Sequence, residues 1–370
     1  MSARAEIAPA PTRVMAERQR LRLGLFYVVL LPVLALSILA GIAIGSTPIP
    51  WQTILHVIGT KMLPHWIGHA GLSDSDIVIV WLIRVPRVMV AVFVGAGLAT
   101  AGVIMQALFR NPLAEPGLVG AGPGAVLGAV IAFVAGWTLH SVIALPVAAI
   151  VGALLALVLV YAMATRGGTT PVATLLLAGI AVGTLLSALS SLLLSLHIVD
   201  WQIAQEIVFW MMGGLDSRTW THFWICAPFV LLGLAAAVIQ SRDLDLLQQG
   251  EETAASLGLD IEASKRLLTL TAALLTGAAV AVAGLLAFVG LVVPHAVRLV
   301  VGPSNRRLLP ASALAGAAFL ILCDLAARTL HPPTEIRLGV VTALIGGPIF
   351  IWLLWRRSWE SGGESGSAEQ

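Results

Sequence analysis

The sequence predicts an all-α integral membrane protein with about ten transmembrane helices, and three observations support this fold class. Of the 370 residues, 58% are hydrophobic and only 11% are charged, whereas soluble domains carry about 25% charged residues. The apolar runs are continuous and about 20 residues long, as in helices that cross a bilayer, whereas barrel strands alternate over about ten residues. The net charge of +2 is nearly neutral, which argues against a nucleic-acid partner.

The transmembrane domain is predicted to span residues 23–357, between a polar cytoplasmic segment, 1–22, and a disordered tail, 358–370. The first apolar run is too long for a signal-peptide core and is interpreted as a retained helix. The eighth run is too short to cross the bilayer unaided. In chain order, the predicted helices cover residues 23–45, 85–108, 117–137, 142–164, 171–196, 221–240, 266–288, 290–301, 308–328 and 338–355.

The distribution of basic residues orients the chain. With ten spans both termini lie on one side, where the segments hold fifteen of the 21 lysines and arginines, and the other side holds six. An excess of basic residues marks the cytoplasmic side, so both termini are predicted to be cytoplasmic. The main outer segments are then 46–82 and 197–220, and the second is expected to contain a short helix at 202–212.

Two pairs of stretches suggest an internal repeat. Residues 99–112 and 281–294 each contain Ala-x-Ala-Gly followed ten residues later by proline, and 145–152 and 309–316 share Leu-Pro and a later glycine. The offset is five helices, so the copies would cross the membrane in opposite directions, as in many transporters. The two prolines of the first pair are then predicted to be equivalent helix breaks at opposite faces. Chance similarity in a chain rich in glycine and alanine is the alternative.

The chain carries no recognisable source of energy for transport. A phosphate-binding loop needs Gly-Lys followed by Ser or Thr, and neither Lys61 nor Lys265 has that context. One acidic residue, Asp324, lies inside an apolar run, and Arg328 follows at the spacing of a helical ion pair. Since ion-coupled carriers place carboxylates within their spans, the sequence favours a passive protein or one powered by a separate subunit over a secondary carrier.

The largest inner loop, 241–265, favours a separate subunit. Its segment 250–258 is rich in residues that form helices, and Gly258 is placed to end a short helix there. Such a helix outside the membrane is suited to docking another protein, and a solvated connector is the alternative. A membrane-embedded enzyme is not supported, because no spacing groups a nucleophile with a base or a set of metal ligands. Cys226 and Cys323 are interpreted as buried thiols, with a disulfide left open.

Eight segments between residues 84 and 355 carry a resemblance to a known family, and they are 84–87, 95–102, 106–117, 175–179, 210–215, 250–258, 293–295 and 339–350. In consistent order, they resemble the permease subunits of type II ABC importers for iron-siderophores, heme and cobalamin. The resemblance implies a homodimer in the bacterial inner membrane, with the transport path along its two-fold axis. It also implies two ATPase subunits that bind ATP and Mg, a periplasmic substrate-binding protein, and no cofactor on this chain.

The resemblance also implies roles for residues at the two ends of the path. Outer arginines pair with glutamates of the binding protein, and the matching positions are Arg84, Arg87 and Arg328. Interfacial snorkelling of these side chains is the alternative. The segment that docks in a groove of the ATPase corresponds to Glu251, Glu252, Ala254, Ala255, Leu257 and Gly258.

Within the path, the resemblance implies a cytoplasmic gate and a lining helix. The gate corresponds to Asn111, Pro112, Leu113, Thr170, Val172 and Ala173, and a capped turn without a gating role is the alternative. The fifth helix carries small residues at a spacing of four, which suits either a smooth path or close helix packing. These residues are Gly179, Gly183, Ser187 and Ser191.

The substrate is not settled by the sequence. The matching segments resemble heme permeases most, so heme is expected first, with a ferric siderophore, cobalamin or another metal chelate as alternatives. The residues His197, Met211 and Met212 near the outer mouth add little, since a lone histidine is more often structural. The binding protein, rather than the permease, is also expected to set specificity.

Overall fold

A computed structural model describes residues 13–45, 47–63, 71–197, 201–332 and 334–365. The first twelve residues of the predicted N-terminal segment and the last five of the predicted tail therefore lie outside the described residues. The described chain is nearly all helical.

Ten apolar helices in the described residues match the ten predicted helices one for one. Seven are long and apolar enough to cross a membrane by length and composition, and three are shorter. The first five are α1 Arg13–Ala43, α2 Val85–Leu108, α3 Ala121–Val134, α4 Ala144–Ala164 and α5 Val172–Leu196. The others are α6 Trp220–Ile239, α7 Ile261–Ala283, α8 Val289–Val301, α9 Asn305–Thr329 and α10 Leu338–Ser365.

The ends of several helices differ from the prediction. The helix that contains α2 begins at Asp74 and includes a π-helical stretch, Val78–Arg84, so it runs for 35 residues. A bilayer needs only about 20 residues, so this helix is longer than a single span requires. The first helix begins at Arg13 rather than at residue 23, and α10 continues past residue 357, where we expected a disordered tail. Hydropathy reports where a helix enters lipid and not where it ends.

The core of the fold forms where α2 crosses its neighbours through glycines. Every residue of α2 from Val94 to Leu108 is buried. A Cβ atom placed on Gly102 would lie 1.8 Å from the carbonyl oxygen of Gly290, and one on Gly95 would lie 2.3 Å from that of Gly316. The backbones of α2, α8 and α9 therefore touch directly, as in membrane bundles held by small residues.

The packing pattern shows the inverted repeat. Helix α2 packs on α9 as α7 packs on α4, and α3 packs on α4 as α8 packs on α9. Helices α2 and α7 also pack on each other. Exchanging α2–α4 with α7–α9 therefore reproduces the same set of contacts, which is the property expected of two copies related by a pseudo-two-fold axis.

The predicted equivalence of the two prolines is wrong. Pro112 lies in the turn after α2, but Pro294 lies inside α8. The break between α7 and α8 falls earlier, at 284–288, where Gly284 (φ 69°) and Phe288 (φ 66°) adopt left-handed backbone conformations. The repeat preserves how the helices pack, and the ends of the two copies have diverged.

Candidate functional site

The three predicted docking arginines lie together where the C-terminal ends of α1 and α9 meet the N-terminal end of α2. They line one cavity of about 520 Å³, whose wall also includes Glu335. The Arg84 guanidinium is buried and donates to the carbonyl oxygens of Ile42 at 3.0 Å and Ala43 at 2.8 Å, and also to that of Thr47. The last carbonyls of a helix lack partners within it and carry partial negative charge, so Arg84 caps α1.

Arg87 is held by two carboxylates of its own chain. Its Nη2 lies 2.8 Å from Asp324 Oδ1 and 2.8 Å from Glu335 Oε2. The predicted pair of Arg328 with Asp324 is present at 3.1 Å, and the sequence did not reveal that Arg87 joins it. The side chain of Asp324 is 1% exposed, whereas that of Glu335 is 40% exposed. Arg87, Arg328, Asp324 and Glu335 form one charge cluster, and Glu335 is its accessible member.

A central cavity of about 560 Å³ lies between α5, the end of α7 and the segment that follows α2. Three of the four predicted lining residues, Gly179, Gly183 and Ser187, contribute to its wall, whereas Ser191 is exposed elsewhere on α5. The close-packing alternative holds at Gly179, and a path-lining role for these residues stays a prediction. A Cβ on Gly179 would lie 2.1 Å from the carbonyl oxygen of Leu118, so this glycine serves packing as well.

Glu115 carries the only charged side chain among the described residues that line the central cavity. Burial raises the pKa of its carboxyl group, because ionisation is disfavoured away from water. The rest of the wall is apolar, apart from backbone groups and the hydroxyls of Thr184, Ser187 and Thr276. Our sequence reasoning missed Glu115 because it searched the apolar runs for acids, and this residue lies in the polar break after α2.

The first predicted gate segment forms a hydrogen-bonded turn. Asn111 Oδ1 accepts from the backbone N–H of Leu113 at 2.9 Å, and the Asn111 N–H donates to the carbonyl of Gln106 at 3.1 Å. The first bond is that of an asparagine turn, and the second is the 6→1 bond of a Schellman cap at the end of α2. The Leu113 side chain is 39% exposed beyond it. The geometry fits the capped-turn alternative, and a gating role for this segment stays a prediction.

The second predicted gate segment joins α4 to α5. Thr170 is buried, and both polar groups of its backbone are bound by α7: its N–H donates to Glu262 Oε1 at 3.1 Å, and its carbonyl accepts from Lys265 Nζ at 2.9 Å. Val172 begins α5, and Ala173 is exposed at its first turn. This segment is therefore bound to α7 through the backbone of Thr170.

The predicted ATPase-docking segment is a helix, Glu251–Ser256, that ends at Gly258 with φ 85°. The Gly258 N–H donates to Ala255 at 2.9 Å and the Leu259 N–H to Ala254 at 3.1 Å, which is the bonding pattern of a Schellman cap. Ala254 is buried, whereas Leu257 is 57% exposed. Glu252 and Ala255 are exposed as well.

The helix Glu251–Ser256 is anchored to the membrane helices, and its docking role stays a prediction, with a solvated connector as the alternative. It follows a further short helix, Ser241–Gln248, on which it packs. Asp245 in that helix accepts from the backbone N–H of Asn305 at 2.7 Å and from its Nδ2 at 2.9 Å. Asp243 accepts from the hydroxyl of Ser264 at 3.2 Å. The first turns of α7 and α9 therefore hold the pair of short helices, Ser241–Gln248 and Glu251–Ser256, in place.

Comparisons with known proteins agree on one class. The sequence model of the FecCD transport family matches residues 33–356. The cobalamin import system permease protein BtuC of Halobacterium salinarum is 44% identical over 84% of this chain and 80% of its own. The hemin transport system permease protein HmuU of Yersinia pestis is 39% identical over 91% of this chain and 96% of its own. A solved structure of a metal-chelate type ABC transporter, inward-facing, matches with a TM-score of 0.78 and 29% identity, over 89% of this chain and 98% of that chain.

Proposed function

The chain belongs to the FecCD transport family of ABC importer permeases, and we propose that two copies form the path of an ATP-driven importer for a metal chelate. The observation that carries the proposal is the arrangement along α2 and its neighbours. The arginine cluster lies at the start of α2, a cavity of about 560 Å³ lies beside α2, and the short helix Glu251–Ser256 lies near the other end of α2, where Gly250 is close to Arg110. An importer needs these three parts in this order.

The lining of the central cavity supports an uncharged cargo rich in hydrogen-bond donors. Its wall is mostly apolar and its only charged side chain, among the described residues, is Glu115. Cobalamin carries peripheral amides whose N–H groups can donate to a carboxylate, whereas the two propionates of heme would be repelled by one. We therefore propose a cobalamin-type chelate as the first cargo. Heme, which the sequence resemblance put first, stays the second, and the hemin permease relative supports it.

At the outer end, the proposal includes docking of a periplasmic binding protein on the arginine cluster. Arg87 already binds Asp324 and Glu335, so a carboxylate of the binding protein has to replace or share one of them. Glu335 is the exposed partner, and it is the one a docking protein would displace.

At the inner end, the proposal assigns ATP binding and hydrolysis to a separate subunit docked on Glu251–Ser256. The exposed Ala255 and Leu257 offer a small apolar surface that fits a groove. A large charged side chain at Ala255 would block this surface without entering the core.

The function is tested by uptake into proteoliposomes that contain this chain and its ATPase. The ATPase faces the lumen, which contains ATP, and the loaded binding protein is added outside. We expect ATP-dependent uptake of cobalamin, with hemin and a ferric siderophore as the competing cargoes. The Ala255→Arg variant should be folded but without ATP-dependent uptake. Uptake driven by a proton or sodium gradient without the ATPase would overturn the proposal.

A further inference from the structure

A lysine buried in the cytoplasmic half of the protein has three partners from three elements. Lys265, in the first turns of α7, is 1% exposed. Its Nζ donates to Glu251 Oε2 at 2.7 Å, to the carbonyl oxygen of Thr170 at 2.9 Å and to Glu262 Oε1 at 3.3 Å. A lysine is almost never buried fully unless it is paired, and an ammonium group has three donors, all of which are used here.

Two of the partners of Lys265, Glu251 and Thr170, come from the two segments that the proposed importer has to connect. Glu251 is the first residue of the docking helix. Thr170 ends the connection before α5, the helix whose Gly179 and Gly183 line the central cavity. Thr170 has little freedom to move alone, because Glu262 holds its N–H at 3.1 Å and its hydroxyl bonds that of Thr165 at 2.9 Å.

Stability alone is a poor explanation of this arrangement. Burying a charge costs desolvation energy that the ion pair only partly offsets, so an apolar residue would hold the same space at least as well. Charge-assisted hydrogen bonds are, however, short and directional. They therefore fix the position of Glu251 relative to Thr170 more tightly than apolar contact would.

We propose that Lys265 is a positioning residue that transmits displacement of the docking helix to Thr170, and through it to α5 and the cavity wall. The inference rests on the proposed function, since it assumes that an ATPase moves the helix Glu251–Ser256. It assigns Glu251, rather than its neighbour Glu252, to transmission. Glu251 bonds Lys265, whereas Glu252 is exposed on the docking surface.

The test compares Glu251→Gln and Lys265→Met with the matched control Glu206→Gln in the reconstituted complex, since Glu206 is exposed and lies outside the residues assigned to docking or to the path. ATP hydrolysis and cargo uptake are measured together. We expect the first two variants to hydrolyse ATP but to import about tenfold less cargo per ATP, a typical size for coupling between sites. The control should import as much cargo per ATP hydrolysed as the unmodified protein. Unchanged ratios in Glu251→Gln and Lys265→Met, or an equal loss in the control, would overturn the inference.

A second measurement does not depend on transport. Hydrogen exchange of the backbone amides of residues 169, 170, 172 and 173 is measured in the detergent-solubilised chain. The Glu251 side chain is 35% exposed, so its substitution should not prevent folding. Glu251→Gln should raise the exchange rate of these amides about tenfold, and Glu252→Gln should leave it unchanged. An unchanged exchange rate in Glu251→Gln would refute the link from Glu251 through Lys265 to Thr170. A protein that shows the link but imports nothing with ATP would refute the proposed function and leave the link standing.

Discussion

At the scale of single residues, two buried basic side chains join elements that are far apart in the chain. Arg87 joins α2 to Asp324 of α9 and to Glu335, and Lys265 joins α7 to Glu251 and to the carbonyl of Thr170. Only the pair of Arg328 with Asp324 was predictable, because its spacing of four is a local helical signal. Arg87 and Asp324 are 237 residues apart, and no local pattern reveals their contact.

The free energy of unfolding should depend strongly on Arg87, which holds the charge cluster of Arg87, Arg328, Asp324 and Glu335 together. Arg87→Met leaves Asp324 buried without its principal partner, which costs about 3–5 kcal/mol for buried pairs. The control, Arg337→Met, breaks a pair at 3.1 Å whose Asp216 side chain is 49% exposed, and such exposed pairs contribute about 1 kcal/mol or less. Unfolding in detergent, followed by tryptophan fluorescence, measures both. Equal losses would contradict a structural role for the cluster.

The raised pKa of Glu115 predicts a pH dependence of stability. Its native pKa exceeds the unfolded value of about 4.3 because of burial. The native state therefore binds more protons than the unfolded state between the two values, and stability falls as pH rises through that window. Glu115→Gln should remove this fall, so it should raise the melting temperature at pH 7 and have little effect at pH 4. A lower melting temperature at pH 7 would contradict the assignment.

At the scale of elements, the glycines decide how closely the helices approach. The contacts of Gly102 with Gly290 and of Gly95 with Gly316 leave no room for a side chain. The sequence showed that α2 is rich in small residues, but small residues occur both at packing surfaces and along smooth cavities. Gly179 packs on Leu118 and also lines the cavity, so the two alternatives were never exclusive.

A matched pair of glycine substitutions tests this packing. Gly102→Ala would place a methyl group 1.8 Å from a carbonyl oxygen, and overpacking of this kind costs about 1–3 kcal/mol. Gly24→Ala, in α1, meets nothing within 4 Å and should stabilise the helix by about 0.5–1 kcal/mol. Thermal unfolding of the purified variants should therefore shift in opposite directions. A shift in the same direction would show that the helix contact is looser than described.

At the scale of the whole molecule, the inverted repeat explains why the fold has two similar halves around α2 and α7. The exchange of α2–α4 with α7–α9 preserves the packing pairs, whereas the breaks at 109–115 and 284–288 differ in position. Two copies that run in opposite directions allow a path whose two ends are shaped independently. The start of α2 carries the arginine cluster, and the short helix Glu251–Ser256 lies near its other end.

The orientation of the whole chain in the membrane is predicted by its basic residues and can be measured directly. Cysteines are introduced at Leu257, for the inner side, and at His331, for the outer side, both exposed. The native Cys226 and Cys323 are free and 1% exposed, so they should not react. In spheroplasts, a membrane-impermeant maleimide should label the variant at 331 and reach that at 257 only after permeabilisation. The reverse pattern would invert the topology.

The sequence by itself determined the membrane class, the ten helices, the short helix in the largest inner loop with its Gly258 cap, and the pair of Asp324 with Arg328. Each of these depends on hydropathy, capping or helical spacing, which are properties of neighbouring residues. Only the tertiary structure decided that Arg87 binds Asp324, that Lys265 binds Glu251 and Thr170, and that Glu115 lines the cavity. These contacts join elements distant in sequence, and their partners are chosen by how the helices pack.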